Sequence, residues 1–261
     1  MAASRRVDLL LVERGLVETR TRAQALILSG RVYSGESRVE KAGTRLALEA
    51  PLSIRETLPY VSRGGVKLHA ALEHFGIDPG GARCLDVGAS TGGFTDCLLQ
   101  SDAAEVFAVD VGYGQLDWNL RNDDRVTVLE RTNFRIIDDD ALPHDLSLAV
   151  VDVSFISLSL ILPRLGTFLK IGSPIVVLIK PQFEAGREKV GKGGVIRDPA
   201  VREEVVHNIL EAAYREGFSS RGIMESPIKG ASGNVEFLAH LVWEGKRKSK
   251  VQSPKPKEGP E

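Results

Sequence analysis

The chain has 261 residues, of which 43% are hydrophobic and 26% are charged, a balance typical of a globular protein with one or two domains. No apolar run approaches the ~20 residues that a membrane-spanning helix needs, so we expect neither a membrane span nor a secretion signal. Cys84 and Cys97 fall in apolar segments without Cys-x-x-Cys spacing, which predicts buried free thiols and a cytoplasmic location.

The net charge of −1 conceals an uneven distribution. Residues 1–60 hold ten basic and seven acidic side chains, and residues 246–261 hold six and two. The stretch between them, 61–245, holds 18 basic and 26 acidic side chains. Two basic terminal stretches that flank an acidic central stretch indicate that a polyanion is bound by the terminal stretches rather than by the central one.

The amino-terminal residues predict a small module of two helices and a hairpin. An apolar stripe in residues 7–16 predicts the first helix. Thr21 and Gln24 match a capping box that would begin the second helix, and Gly30 would end it. Short alternating runs at 31–33 and 44–48 predict the hairpin. One face of the module would carry Arg5, Arg6, Arg20, Arg22, Arg31, Arg38 and Lys41.

Four segments of this module resemble the S4 RNA-binding domain: 6–10 (RVDLL), 15–16 (GL), 21–25 (TRAQA) and 30–35 (GRVYSG). The resemblance covers residues 5–58 and departs from many S4 domains only where Tyr-Ser-Gly replaces Val-Asn-Gly in a turn. It implies an RNA-binding face, although the arginines could instead merely solvate a small domain. The RNA contacts we expect are Arg5, Arg6, Arg20, Arg22, Arg31, Lys41 and, beyond the domain, Arg63.

Residues 59–65 predict a linker, because Pro59 favours an extended residue before it and Gly64-Gly65 allows the chain to bend. We expect a second domain over 66–245 and a basic, disordered tail over 246–261, which would add phosphate contacts or serve no role.

The second domain alternates strands and helices, a pattern typical of an α/β fold with a doubly wound, mostly parallel sheet. The last strand alternates in hydrophobicity and is expected to insert antiparallel at or near the edge. Predicted strands cover 83–86, 105–110, 127–129, 146–152, 174–180 and 234–243, and predicted helices cover 66–75, 94–100, 158–168 and 199–216.

A glycine-rich turn follows the first of these strands in the segment 85–96 (LDVGASTGGFTD). Ser90 stands where a dinucleotide fingerprint has its second glycine, and no Gly-Lys-Ser/Thr of a P-loop follows. The turn is instead similar to the nucleoside-binding turn of S-adenosylmethionine (SAM) methyltransferases, although a glycine turn alone can be a plain connection.

Charged residues stand at the carboxyl ends of four apolar runs, where parallel sheets bind ligands: Asp86, Asp110, Asp152 and Lys180. Asp110 suits a ribose diol or a helix cap, and Asn133, after the next strand, could lie near an adenine edge or serve a turn. The cofactor-binding residues we expect are Asp86, Gly88, Ser90, Gly92, Gly93, Phe94, Asp110, Asn133 and Asp152.

Lys180 is the candidate general base. Pro181 holds it extended at a strand end, and a partly buried lysine near a second cation, here Lys67, can lose its proton. Asp152 and Glu236 would orient the two lysines. The competing interpretation is that two ion pairs brace the edge of the sheet.

Five blocks occur in an order that closely resembles the TlyA family, historically called hemolysin A: 61–68, 86–94, 152–157, 179–184 and 233–237. The resemblance implies an S4 domain followed by an FtsJ-like methyltransferase domain that uses SAM and no metal. It implies a substrate in ribosomal RNA or a ribosomal subunit, methylated on cytidine ribose. By position, the catalytic tetrad would be Lys67, Asp152, Lys180 and Glu236.

Three other functions remain open at this stage. A ribosome assembly factor could bind SAM without catalysis, and a membrane-active hemolysin would match the older family name but lacks a spanning segment. A base methyltransferase usually carries Asn/Asp-Pro-Pro-Tyr or a cysteine where this chain has Asp-Val-Ser-Phe at 152–155.

The glycine-rich segment 184–198 would be a mobile lid or a plain connection. The sequence has no aromatic cluster, which favours recognition of RNA by its shape rather than by stacking on a single strand.

Overall fold

The computed structural model describes residues 4–28, 30–54, 59–230 and 232–246. These residues form two compact units that divide between Pro59 and Tyr60. The tail predicted over 246–261 lies outside the described residues from position 247 onward.

The first unit packs two helices against short antiparallel strands. Strand β1 pairs with β4, and a second sheet has the order β3-β2-β5. The hairpin expected between the runs at 31–33 and 44–48 is therefore wrong, because those runs join different sheets. A small core fills the unit, with Val7, Leu11 and Val32 fully buried. The elements are β1 (Ser4–Arg6), α1 (Val7–Glu13), α2 (Arg20–Leu28), β2 (Val32–Ser34), β3 (Ser37–Arg38), β4 (Arg45–Ala47) and β5 (Leu52–Ile54).

Helix α2 begins at Arg20, and its cap lies two residues before Thr21, the cap that the sequence predicted. The hydroxyl of Thr19 accepts a hydrogen bond from the Arg22 amide at 3.2 Å, so Thr19 is the cap and Thr21 lies within the helix. Gln24 is drawn away from the helix terminus because its side-chain amide donates to the buried Asp8 carboxylate at 3.1 Å. Gly30 follows the helix with φ +71°, as predicted for its end.

The second unit is built on a seven-stranded sheet with the order β11-β12-β10-β9-β6-β7-β8. Strand β12 pairs antiparallel with both its neighbours, and the strands from β10 to β8 are parallel. The predicted α/β class and the antiparallel last strand are confirmed. The elements are α3 (Arg63–Phe75), β6 (Arg83–Val87), α4 (Gly93–Gln100), β7 (Glu105–Val109), α5 (Trp118–Arg121), β8 (Val126–Leu129), β9 (Leu148–Val151), α6 (Leu162–Phe168), β10 (Pro174–Ile179), α7 (Pro181–Glu184), α8 (Pro199–Arg215), β11 (Phe218–Glu225) and β12 (Phe237–Trp243).

Helices cover both faces of this sheet. Leu85 on β6 joins a core with α6 and α8, whereas its neighbour Cys84 joins a second core with α3 and α4. Successive side chains on a strand point to opposite faces, so each parallel strand must be apolar on both sides. The burial of every residue of β9 shows this.

Helix α3 begins at Arg63, three residues before the predicted start. Ser62 caps it by accepting a hydrogen bond from the Gly64 amide at 3.2 Å. Gly65, expected to be a flexible linker residue, lies in the first turn of the helix. A Cβ at this position would lie 2.2 Å from Cγ of Tyr60, so glycine is required by close packing rather than by flexibility.

The predicted helix over 158–168 is interrupted. A short 3₁₀ turn, Leu158–Leu160, precedes α6, which begins at Leu162 with Pro163 in its first turn. Proline lacks an amide hydrogen and collides with the preceding turn, so it starts a new helix rather than continuing one.

Candidate active site

The predicted catalytic side chains form two ion pairs at the carboxyl edge of the sheet. Lys67 from α3 donates to Glu236, just before β12, with 2.6 Å between Nζ and Oε2. Lys180, at the end of β10, has its Nζ 2.5 Å from Oδ1 of Asp152, which follows β9. Side-chain exposure is 10% and 3% in the first pair and 11% and 22% in the second, so the first pair is the more deeply buried.

The Glu236 carboxylate is further fixed from two sides. Its Oε1 accepts a hydrogen bond from the side-chain amide of Gln182 at 3.2 Å. Gly230 approaches the same oxygen so closely that a Cβ there would lie 2.3 Å away. Glu236 is therefore held as a buried acceptor that positions Lys67.

All four side chains line one cavity of about 630 Å³. Arg63, Gly93 and Phe94 also line it, so two residues predicted to bind cofactor and one predicted to contact RNA lie beside the tetrad. The tetrad residues come from four separate segments, and the sheet topology brings them together. The arrangement is compatible both with catalysis and with the bracing role that the sequence left open.

Pro181 acts on Lys180 as predicted. Lys180 has φ −111° and ψ 98°, an extended conformation, and Pro181 is the first residue of α7. The ammonium nitrogen lies 5.8 Å from the ring centroid of Phe183 and donates to Ser154 Oγ at 2.8 Å. Lys180 therefore projects from the strand end into the cavity.

A second cavity of about 370 Å³ also borders the glycine turn. Gly88, Ser90, Asp152, Ser154 and Phe155 line both cavities, so the two adjoin. The second cavity also carries Asp110 and Asn133, together with apolar groups from Val109, Phe134 and Ile156.

Backbone geometry explains the glycine at position 88. Gly88 has φ +89°, and a Cβ there would lie 2.5 Å from the carbonyl oxygen of Asp152. Gly88 thus allows the turn to pass directly over the end of β9. Gly92 lines neither cavity and faces the side chains of Leu116 and Leu120 instead.

Asp110 ties the glycine turn to the end of β7. Its Oδ2 accepts from the Ser90 amide at 2.8 Å and its Oδ1 from the Gly112 amide at 2.6 Å. Each carboxylate oxygen keeps a second acceptor site, so the group can still receive hydroxyl donors from the cavity. Asn133 caps a 3₁₀ turn by accepting a hydrogen bond from the Arg135 amide at 3.1 Å, which is the turn role that the sequence left open. It also lines the second cavity.

Asp86 lies within β6 rather than in the turn, and lines neither cavity. It is completely buried, and its Oδ2 accepts from the Thr95 hydroxyl at 2.7 Å. Its Oδ1 has no hydrogen-bond partner among the described residues. Burial raises the pKa of Asp86 to about 7, and the nearby Asp152 and Asp110 charges act in the same direction.

An aromatic pair at the cavity mouth was not predicted. Phe155 is 89% exposed, lines both cavities and packs on Phe183, with ring centroids 4.8 Å apart. Its φ of +63° is uncommon for a bulky side chain. The two rings are distant in sequence, so no local run of aromatic residues indicates the pair. The available signal was Phe155, a single aromatic residue near the charged end of a strand.

The basic residues of the first unit differ in how firmly they are held. Arg6 and Arg20 both donate to the buried Asp8, at 3.0 and 2.9 Å, and the Arg6 contact holds the pKa of that carboxyl well below its usual range. Arg5 pairs with Glu13. The other basic residues predicted on this face lie in surface grooves: Arg22 and Arg31 share one, and Lys41 and Arg38 share another.

Comparisons with known proteins agree with this architecture. Residues 60–243 match the model of the FtsJ-like methyltransferase family, and residues 5–50 match the S4 domain. The 16S/23S rRNA (cytidine-2′-O)-methyltransferase TlyA of Mycobacterium tuberculosis is 46% identical over 243 residues, which cover 92% of this chain and 91% of that protein. Hemolysin A of Brachyspira hyodysenteriae is 42% identical over 238 residues, covering 91% and 99%.

The fold is shared more widely. The crystal structure of Aeropyrum pernix fibrillarin with natively bound SAM superposes with a TM-score of 0.51 at 12% identity, over 69% of this chain and 76% of that one. Within the described ranges, no helix combines the length and apolarity needed to cross a membrane.

Proposed function

Because this chain belongs to the TlyA family of FtsJ-like methyltransferases, we propose that it transfers the methyl group of SAM to the ribose 2′-oxygen of a cytidine in ribosomal RNA. The S4 unit would hold the folded RNA, and a ribosomal subunit or its RNA would be the partner. The observation that carries the proposal is the pair of adjoining cavities, one lined by the tetrad and one by the glycine turn.

The second cavity suits SAM by its chemistry. Asp110 offers acceptors for ribose hydroxyls, and Asn133 offers polar groups for an adenine edge. The apolar walls from Val109, Phe134 and Ile156 suit the faces of a purine. When bound, SAM supplies an electrophilic methyl group on a sulfonium.

The first cavity suits the nucleotide that is methylated. Phe155 presents an exposed ring on which a base can stack, a contact worth about 1–3 kcal/mol. A stacked base would place its ribose towards Asp152 and Lys180, which line the same cavity. The aromatic pair therefore favours a nucleotide drawn out of its helix over recognition of RNA shape alone at this site.

In the proposed mechanism, Lys180 accepts the proton of the 2′-hydroxyl as the oxygen attacks. A ribose hydroxyl is a weak nucleophile at neutral pH, so partial deprotonation and in-line positioning supply much of the rate. Asp152 holds Lys180, and Glu236 holds Lys67 at the wall of the same cavity. The Asp-Val-Ser-Phe sequence at 152–155 supports ribose rather than base methylation, since it offers no cysteine nucleophile.

Label transfer to ribosomal subunits tests the proposal. Purified protein is incubated with radiolabelled SAM and unmodified bacterial 30S or 50S subunits, and the labelled nucleotide is mapped. We expect label at a cytidine whose 3′ linkage resists alkaline cleavage. Lys180→Ala should lower the rate at least about 100-fold with SAM binding intact, whereas Lys170→Ala, on an exposed turn, should not.

Absence of label on both subunits, with SAM binding intact, would instead favour an assembly factor or another RNA substrate. Near-normal turnover by the Lys180→Ala variant would reject Lys180 as the base.

A further inference from the structure

Two oxygens of the turn that follows β9 lie close to Lys180 Nζ, and only one of them accepts a hydrogen bond from it. Asp152 Oδ1 lies 2.5 Å away and forms the ion pair, and Ser154 Oγ accepts a hydrogen bond at 2.8 Å. The tetrad accounts for the first contact only. The second contact comes from a neutral hydroxyl that lines both cavities.

The backbone after β9 places this hydroxyl. Strand β9 ends at Val151, and the chain turns sharply at Phe155, whose φ of +63° costs of order 1–3 kcal/mol in a residue other than glycine. Strain of this kind persists only where the surrounding structure imposes it, and it is often found at functional sites. Here it accompanies a turn that brings both Asp152 and Ser154 against one lysine nitrogen.

We propose that Ser154 is a positioning residue that directs the lone pair of neutral Lys180 towards the substrate hydroxyl. This inference rests on the proposed 2′-O-methylation. A deprotonated lysine has two N–H bonds and one lone pair. Ser154 takes one N–H bond, and the negative charge of Asp152, with its Oδ1 2.5 Å from the nitrogen, repels the lone pair. The lone pair is therefore left facing the cavity that Lys180 lines.

The proton and electron balance is simple. The 2′-O–H bond breaks and its proton joins the Lys180 lone pair, while the oxygen forms a bond to the methyl carbon. The carbon–sulfur bond breaks, and its electron pair stays on sulfur. The resulting ammonium donates to Ser154 and to the product oxygen, and the Asp152 carboxylate balances its charge. Without the Ser154 hydroxyl, the neutral amine can rotate and point an N–H, rather than its lone pair, at the substrate.

Kinetics of Ser154→Ala and Ser154→Thr test this role. Ser154→Ala should lower kcat about tenfold or more. The KM values for SAM and for the ribosomal subunit should change less than about twofold, because the groups proposed to bind SAM and to stack on the base are untouched. Ser154→Thr retains a hydroxyl and should recover most of the rate. Ser159→Ala is the matched control, because that hydroxyl bonds to Ser157 and not to Lys180.

A double variant separates this inference from the proposed function. In a Lys180→Ala background, Ser154→Ala should cause no further loss, since the group it positions is gone. An additive loss, a rise in KM without a fall in kcat, or failure of threonine to rescue would overturn the role of Ser154. Full activity of Lys180→Ala would instead reject the base itself, and with it the mechanism on which this inference depends.

Discussion

Among the described residues beside the two cavities, Asp86 is a buried titratable group with no opposite charge in contact with it. The Lys67–Glu236 and Lys180–Asp152 contacts each combine opposite charges. Asp86 is more deeply buried than these four side chains, and only one of its oxygens has a partner, the Thr95 hydroxyl. An ionised carboxylate without a counter-charge is costly to bury, so burial shifts Asp86 towards its protonated form and raises its pKa.

The pKa of Asp86 predicts how its replacement alters stability. Its pKa rises from 3.8 to about 7 on folding, so between these values the unfolded chain binds fewer protons and the folded state loses stability as pH rises. Asp86→Asn has the same shape, keeps an acceptor for Thr95 and cannot ionise. From pH 5 to pH 7, the free energy of unfolding of this variant should therefore improve relative to wild type, by up to about 1.4 kcal/mol per pH unit. Urea unfolding at pH 5, 7 and 8 measures the difference, and a difference that does not change with pH contradicts the assignment.

At the scale of elements, one buried asparagine joins the glycine-rich segment to the turn before β12. Asn234 is 2% exposed; its Oδ1 accepts from the Ile196 amide at 3.0 Å and its Nδ2 donates to the Gly194 carbonyl at 2.9 Å. Val190 and Gly194 of that segment line the tetrad cavity. Asn234 therefore fixes one wall of the cavity two residues before Glu236.

Removal of the Asn234 amide should release this segment. Asn234→Ala loses two hydrogen bonds, about 1 kcal/mol each, so opening of the segment should become roughly tenfold or more frequent. Trypsin cleavage after the exposed Lys192 and Arg197 should accelerate correspondingly, while thermal melting shows that the rest of the domain stays folded. Asn122→Ala, which removes a surface hydrogen bond to Trp118, is the control and should leave cleavage unchanged. Equal cleavage in both variants would mean that Asn234 does not hold the segment.

The elements also show what the sequence could and could not predict. Apolar runs that end in Asp110, Asp152 or Lys180 identified the edge of the sheet that carries the two cavities, because buried parallel strands leave a clear signal in the sequence. The sequence did not predict strand β11, because it lies at the edge of the sheet and most of its residues are at least partly exposed. This strand is stabilised by pairing with β12 rather than by an apolar sequence of its own. Contacts such as Lys180 to Ser154 and Phe155 to Phe183 depend on a sharp turn and on distant residues, which local patterns do not encode.

At the scale of the whole molecule, basic and acidic residues are unevenly divided between the two units. The basic amino-terminal stretch coincides with the S4 unit, and the acidic excess falls in the methyltransferase unit. Phosphate contacts release counterions and make affinity fall with salt, so the S4 unit should set the salt dependence of RNA binding. Its arginines are not equivalent, however, because Arg6 and Arg20 also neutralise the buried Asp8.

Basic residues that hold Asp8 and basic residues that do not should therefore respond differently to substitution. Arg22→Ala and Lys41→Ala remove exposed cations, so each should weaken binding to ribosomal RNA, lower the slope of log affinity against log salt by about 1, and leave the free energy of unfolding unchanged. Arg20→Ala should in addition cost about 1–3 kcal/mol of stability, because it removes one of the donors that satisfy Asp8. Salt titrations of RNA binding and urea unfolding measure the two effects, with Lys170→Ala, from the methyltransferase unit, as the control for loss of one exposed charge. If Lys170→Ala lowers the slope as much as Arg22→Ala does, RNA binding is not concentrated on the S4 unit.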